Sequence, residues 1–336
     1  LGFDTRVFII SSILTAECLK GFQYTHFSVN AEKYFDRVYE DFDRYLWIPV
    51  AMILLASGVL GFNYATTGEF LAKGTDFSGG SEIQFDIQGD FQNSEIEQAF
   101  AEAGRTQTDV LTQTTGNQTL TIVELPPPTI DEEEAANILG DAGYEAEVIG
   151  LRTISAAVSS QFFLQAQIAF VLAFTTMSLV IFIAFKDLTP SLAVIIAAFG
   201  DIVFASAGMA VLGIPLTLGS LAALLMLIGY SVDTDIVLST RVIKRNRGEL
   251  KKRMWSSVKT GTTMSMGGIG GFILLYAISY LMVGSSELTN IAAVMVIGLL
   301  ADMPITWLGN AVILKKYKEG EFERFRRFEE VIPSWK

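Results

Sequence analysis

Apolar residues fall in six blocks, each long enough to cross a bilayer. A hydrocarbon core takes roughly 20 mostly apolar residues per helix. The chain meets this over 46–65, 162–185, 192–212, 218–240, 260–283 and 291–314. A long polar stretch, 66–161, separates the first block from the second; the other connections are short. The pattern predicts a polytopic α-helical membrane protein with six transmembrane helices. Its expected parts are an N-terminal segment 1–45, helix 46–65, an extramembrane domain 66–161, helices within 162–314, and a tail 315–336.

Inside 66–161 the period changes. Residues 81–88 (SEIQFDIQ) alternate apolar and polar, as a half-buried strand does. Residues 94–104 read as a helix, with Ser94 and Glu97 as a capping box and Gly104 as the stop. Strands are expected at 109–113 and 119–125, joined by a turn at Gly116-Asn117. Three prolines, 126–128, break the chain. Thr129 and Glu132 offer a second capping box for a helix to 142, stopped by Gly143, and 144–150 reads as a last strand. The order βαββαβ predicts an α+β ferredoxin-like domain whose open sheet face and edges are possible binding surfaces. The acidic run 131–134 suits a first helical turn better than a cation site, because acids there complement the helix dipole. Asn117-Gln118-Thr119 fits a glycosylation acceptor.

Charge narrows the function. Only 18% of the 336 residues are charged, against about 25% in soluble domains. A net charge of -12 excludes a nucleic-acid partner, which needs a basic face. One cysteine, Cys18, forms no internal disulfide, and one histidine, His26, makes no His/Cys metal cluster. No P-loop, zinc motif or nucleophile–base pair is legible, so neither an enzyme nor a cofactor is expected. Lys and Arg are retained on the cytoplasmic side. Of 24 such residues, all but Lys73, Arg105 and Arg152 fall on one side of the six-helix arrangement. Both termini are therefore expected in the cytoplasm and 66–161 outside, in a multi-pass plasma-membrane protein. No cleavable signal peptide is legible, and the first spanning helix is expected to act as the insertion signal. Between Glu69 and Arg152 seventeen acids face three bases, which fits a high-salt habitat or a repulsive surface.

Four acids interrupt the apolar blocks: Asp201, Asp233, Asp235 and Asp302. Each costs about 2.5–3.5 kcal/mol at mid-bilayer, so four on lipid would cost on the order of 10–14 kcal/mol. They must face the bundle, a wet cavity or a partner. Asp233 and Asp235 stand about 200° apart on a helix and cannot share one cavity squarely. Lys259, Thr260, Thr262, Thr263 and Ser265 open the fifth block and are candidate partners. Gly267, Gly268, Gly270 and Gly271 would let a neighbouring backbone approach. The acids read either as a proton or cation relay or as polar glue between helices.

Three motifs carry a family resemblance. Gly74-Thr75-Asp76-Phe77-Ser78-Gly79-Gly80 resembles the GxDFxGG signature after the first membrane helix of SecF proteins. SecD, the sister subunit, usually has an Arg where this chain has Ser78. Gly229-Tyr230-Ser231-Val232-Asp233-Thr234-Asp235 resembles the fourth-helix motif of SecF, and Ala301-Asp302 with Thr306, Trp307 and Asn310 the last helix of archaeal members. The likeness spans roughly 42–317. On residue chemistry alone the first motif reads as structural: Gly74, Gly79 and Gly80 permit tight, left-handed backbone, Asp76 caps or bridges the turn, and Phe77 belongs to the same signature. The resemblance implies a protein-export accessory subunit of the resistance-nodulation-division superfold. It would pair with SecD near the SecY-containing translocon and help an unfolded exported polypeptide outward, driven by ion flow. The alternative is a small-molecule or lipid exporter of the same superfold, though such proteins usually hold two six-helix halves. Bacterial members typically read Asn-Asp-Thr where this chain has Asp233-Thr234-Asp235, so their presumed ion-coupling Asp falls on Thr234. Their fifth-helix Arg falls near Ser256, with Lys259 the nearest cation. Either the carboxylate is shifted here or the coupling is altered.

Overall fold

The computed structural model describes residues 35–87, 91–105, 108–115, 118–244, 248–283 and 286–321. The expectations for the first 34 residues, the Gly116-Asn117 turn and the Asn117 acceptor lie outside them. Among the described residues six helical stretches are long and apolar enough to span a membrane. The first joins α1 (Phe42–Tyr45) to α2 (Trp47–Thr67). A single turn, α3 (Thr75–Ser78), precedes the α/β domain. That domain comprises β1 (Gly80–Ile87), α4 (Asn93–Glu102), β2 (Asp109–Thr115), β3 (Gln118–Leu125), α5 (Glu132–Asp141) and β4 (Ala146–Ile154). The remaining spans are α6 (Ala156–Phe185), α7 (Leu188–Leu212), α8 (Leu218–Ser239), α9 (Leu250–Val283) and α10 (Glu287–Pro304). A π turn, Thr240–Lys244, extends α8. Another, Ile305–Asn310, joins α10 to α11 (Ala311–Glu319).

The helices overrun their apolar blocks. The fifth begins at Leu250, ten residues ahead of the block, because Lys251, Lys252 and Arg253 are good helix formers whose charges can leave the bilayer. The expected 241–259 loop is therefore mostly helical. Burial divides the six spans. Half or more of the most apolar stretch is buried in α7, α8 and α10 (50%, 50% and 56%), against 11–17% in the other three. Those three inner helices pack through small residues. A side chain on Gly298 would collide with Leu227, and one on Gly208 with Ile297.

The α/β domain forms one antiparallel sheet in the order β2-β3-β1-β4, the ferredoxin-like arrangement. Its two helices cover one face over Ile83, Phe85, Ile96, Phe100, Val123 and Leu139. Both helix starts differ from expectation. The first capping box is Gln92 with Glu95, because α4 begins at Asn93 and leaves Ser94 and Glu97 inside the helix. The second helix is capped by Asp131, whose Oδ1 accepts from Glu134 N at 2.8 Å, not by Thr129. The acids 131–134 thus do sit in the first turn, and Glu134 pairs with Arg105 at 3.1 Å. The closing strand runs to Ile154 rather than 150 and leads directly into α6.

Candidate functional site

The inner helices α7, α8 and α10 each turn one acid inward. Asp201, Asp235 and Asp302 are all fully buried. Ser231 Oγ donates to Asp201 Oδ2 at 2.5 Å, and Ser265 Oγ donates to Asp302 Oδ2 at 3.4 Å. Asn310 Nδ2 donates to Asp235 Oδ1 at 2.7 Å. Thr306 Oγ1 lies between two carboxyls, 3.0 Å from Asp235 Oδ1 and 3.1 Å from Asp302 Oδ1. A hydroxyl has one proton and donates once. The second of these contacts is a hydrogen bond only if a carboxyl brings its own proton. The ladder has a local cause. Asp302, Thr306 and Asn310 are spaced by four and share one helix face, as do Ser231 and Asp235 on α8. Pro304 has no N–H to give the helix, and the π turn follows it at once, carrying Thr306 and Asn310.

The cluster holds acceptors without donors. Asp201 Oδ1, Asp235 Oδ2 and Asn310 Oδ1 are buried and unpartnered among the described residues. None of the ion pairs there involves Asp201, Asp235 or Asp302. An ionised carboxylate buried without a counter-charge costs several kcal/mol. Such a group must gain a proton or a cation, and its charge can change where that supply changes. Among the described residues no three His, Cys, Asp or Glu side chains converge on one metal position.

Of the other candidate residues, Thr234 borders the cluster beside Asp302, whereas Asp233 and Lys259 lie apart. Asp233 is exposed on the far side of α8, as the 200° spacing requires. Thr234 is buried, with its hydroxyl turned back to Tyr230 O at 3.2 Å. Lys259 is exposed and stacks its ammonium over Trp255, 5.6 Å from the ring centre. Of the hydroxyls opening α9, Ser265 alone hydrogen-bonds to a buried acid among the described residues. Ser256 receives a guanidinium from Arg241 in the π turn, which also donates to Thr260. Close helix approach on α9 occurs at Gly261, against Trp307 and Thr234, and at Gly268, against Leu299 and Tyr230. Gly267, Gly270 and Gly271 face open space. Ser231, Thr306 and Asn310 stood in the sequence motifs without a role; their spacing of four from Asp235 and Asp302 was the signal that could have assigned one.

The Gly74–Gly80 motif builds a joint. Gly79 and Gly80 have φ of +77° and +125°, and a side chain on Gly80 would strike Leu125 O. Gly74 is not left-handed. It is needed because a Cβ there would lie 2.7 Å from Thr217 Cγ2. Phe77 is buried against Phe163 of α6. Asp76 is buried too, and it bridges elements far apart in sequence. Its Oδ1 accepts from Arg152 Nη2 of β4 at 2.7 Å, and its Oδ2 from Leu218 N at the start of α8 at 3.0 Å.

The family model for the C-terminal part of the protein-export membrane proteins SecD and SecF matches residues 134–320. The protein-export membrane protein SecF of Methanothermobacter thermautotrophicus is 35% identical over 285 residues, 84% of this chain and 95% of that protein. SecF of Haloferax volcanii is 35% identical over 271 residues, 81% and 91% of the two. The crystal structure of SecDF, a translocon-associated membrane protein from Thermus thermophilus, superposes with a TM-score of 0.67 over 83% of this chain at 19% identity, which speaks for the fold alone. This chain spans only 38% of that longer one. With its sequence relatives matched nearly end to end and the six-helix fold in common, the chain belongs to the SecD/SecF family of protein-export membrane proteins, on its SecF branch.

Proposed function

We propose that the chain is an accessory subunit of the Sec protein-export machinery in which the Asp201–Asp235–Asp302 cluster couples an ion gradient to the work of export. The observation that carries this reading is the meeting of three acids, one from each inner helix, with neutral donors only. Loading a proton removes a buried charge, and releasing it restores one. The interhelical contacts through Ser231, Thr306 and Asn310 then change strength with charge, since a hydrogen bond to an ionised carboxylate is roughly twice as strong as a neutral one. Thr306 passes the effect between α8 and α10.

The partner is SecD, beside the SecY channel, and the cargo is an unfolded exported chain moving outward. The basic residues support an orientation with both termini in the cytoplasm and 66–161 outside. Asp233, exposed at membrane depth, supports a protein neighbour on that side of α8, because a carboxylate facing acyl chains is costly. No catalytic chemistry is needed. The test is export of a reporter in cells depleted of the native protein and supplied with Asp235→Asn. Loss of export with normal membrane insertion is expected; full export would reject ion coupling at this cluster.

A further inference from the structure

The buried acids lie deep in the bundle, while the α/β domain sits at the opposite end of α8. The chain runs from the domain directly into α6, but α8 has no such covalent link. Its contacts to the domain side are made by residues 72–76. Gly74 N donates to Leu216 O at 2.9 Å, and Leu216 N donates to Ala72 O at 2.7 Å, pinning the loop that precedes α8. Asp76 then grips the helix itself through Leu218 N and the sheet through Arg152.

The first turn of α8 is fully engaged. Leu218 N is held by Asp76, Gly219 N by Glu287 Oε1 at 3.0 Å, and Ser220 N by Thr217 Oγ1 at 3.1 Å. Two carboxylates on the positive end of the helix are favourable. They differ in what they tie down. Glu287 opens α10 and ties α8 only to another helix of the bundle, whereas Asp76 reaches the sheet. Arg152 also approaches Glu82 of β1 at 3.6 Å, so the guanidinium spans two neighbouring strands. One carboxylate therefore connects the N-terminus of α8 to two strands of the α/β domain.

We infer that Asp76 is the positioning residue through which movement of α8 reaches the α/β domain. The inference rests on the reading of Asp235 as a group that changes charge. Asp235 lies 17 residues below Leu218, about 26 Å along the helix at 1.5 Å per residue. A helix transmits a shift along its axis with little loss because its backbone bonds run along that axis. A shift of α8 driven at Asp235 or Thr306 moves Leu218 N. Asp76 follows it, and Arg152 carries the movement into β4 and β1. Without Asp76 the bundle and the domain remain attached through α6, through α9 against β2 and through the backbone bonds of residues 72–74 to Leu216, but the first turn of α8 loses its side-chain tie to the sheet.

The test is hydrogen–deuterium exchange on the full chain in lipid nanodiscs, with reporter export measured alongside. The charge-neutral state of the cluster is mimicked by Asp235→Asn. That substitution should change exchange over 80–87 and 146–154 by about fivefold or more, the lower bound of ordinary allosteric coupling. In an Asp76→Ala background the same substitution should change those segments far less. Arg152→Gln, which spares the Asp76 contact to Leu218 N, should also break the response and covers the case that Asp76→Ala fails to fold. A response that persists undiminished in both backgrounds overturns the inference. So does an Asp235→Asn chain that loses export while its sheet exchanges as before, and this leaves the reading of the buried cluster intact. An Asp235→Asn chain that exports normally overturns the cluster reading and the inference together.

Discussion

The two ends of α8 each carry buried carboxylate chemistry, and the chemistry differs. At the domain end Asp76 meets a guanidinium and a helix N-terminus, both positive. Toward the other end Asp235 meets one hydroxyl and one amide, both neutral, and keeps an unpartnered oxygen. Asp76, with two positive partners, serves as a strut between the sheet and α8. Asp235, with neutral donors only, has no such partner, and under the proposed coupling its charge follows its proton or ion supply. On the proposed coupling, burial alone does not make an acid a switch; the absence of compensating charge does.

Substitutions can break or sharpen this contrast. The largest expected effect on export is at the uncompensated end. Asp235→Asn with Asp302→Asn should lower reporter export by tenfold or more, about 1.4 kcal/mol of coupling or above, with insertion unchanged by protease accessibility. Next comes the packing on which both ends depend. Phe85→Ala opens a cavity in the fully buried sheet core and should cost about 3–5 kcal/mol, read by limited proteolysis of the α/β domain. In the bundle, Gly298→Ala forces a methyl onto Leu227 and should cost about 1–3 kcal/mol, read as a lower melting temperature in nanodiscs. Asp233→Asn should leave the melting temperature of the isolated chain unchanged and weaken co-purification with SecD, because its side chain faces outward. The smallest effect is expected at a site remote from α8. Asp131→Ala removes the cap of α5 and should cost about 1 kcal/mol, seen as a small thermal shift of the domain with export unaffected.

The spans and the sheet were legible because two strong periodicities carry them, apolar blocks near twenty residues and a period of two in 81–88. The caps were not, because helix starts depend on local backbone geometry. Gln92 and Asp131 displaced the Ser and Thr that composition favours. For the site, the residue types were readable but their facing was not. The 200° spacing of Asp233 and Asp235 said that one acid must turn away, without saying which. Asp201 was visible as an acid in an apolar block, yet its tie to Ser231 is a contact between helices thirty residues apart. The bridge from Asp76 to Leu218 N spans 142 residues, beyond any local pattern. Lys259 sat in the right region of the sequence, but its helix face turns it toward Trp255.

The central claim is that Asp235 and its buried neighbours convert a gradient into export work. Its most direct test compares reporter export into vesicles carrying the complete SecD-paired complex, with an imposed ion gradient and with that gradient collapsed, for the natural chain and for Asp235→Asn. The account predicts gradient-stimulated export in the natural complex and none in the variant, at equal subunit content. Equal stimulation in both would contradict it.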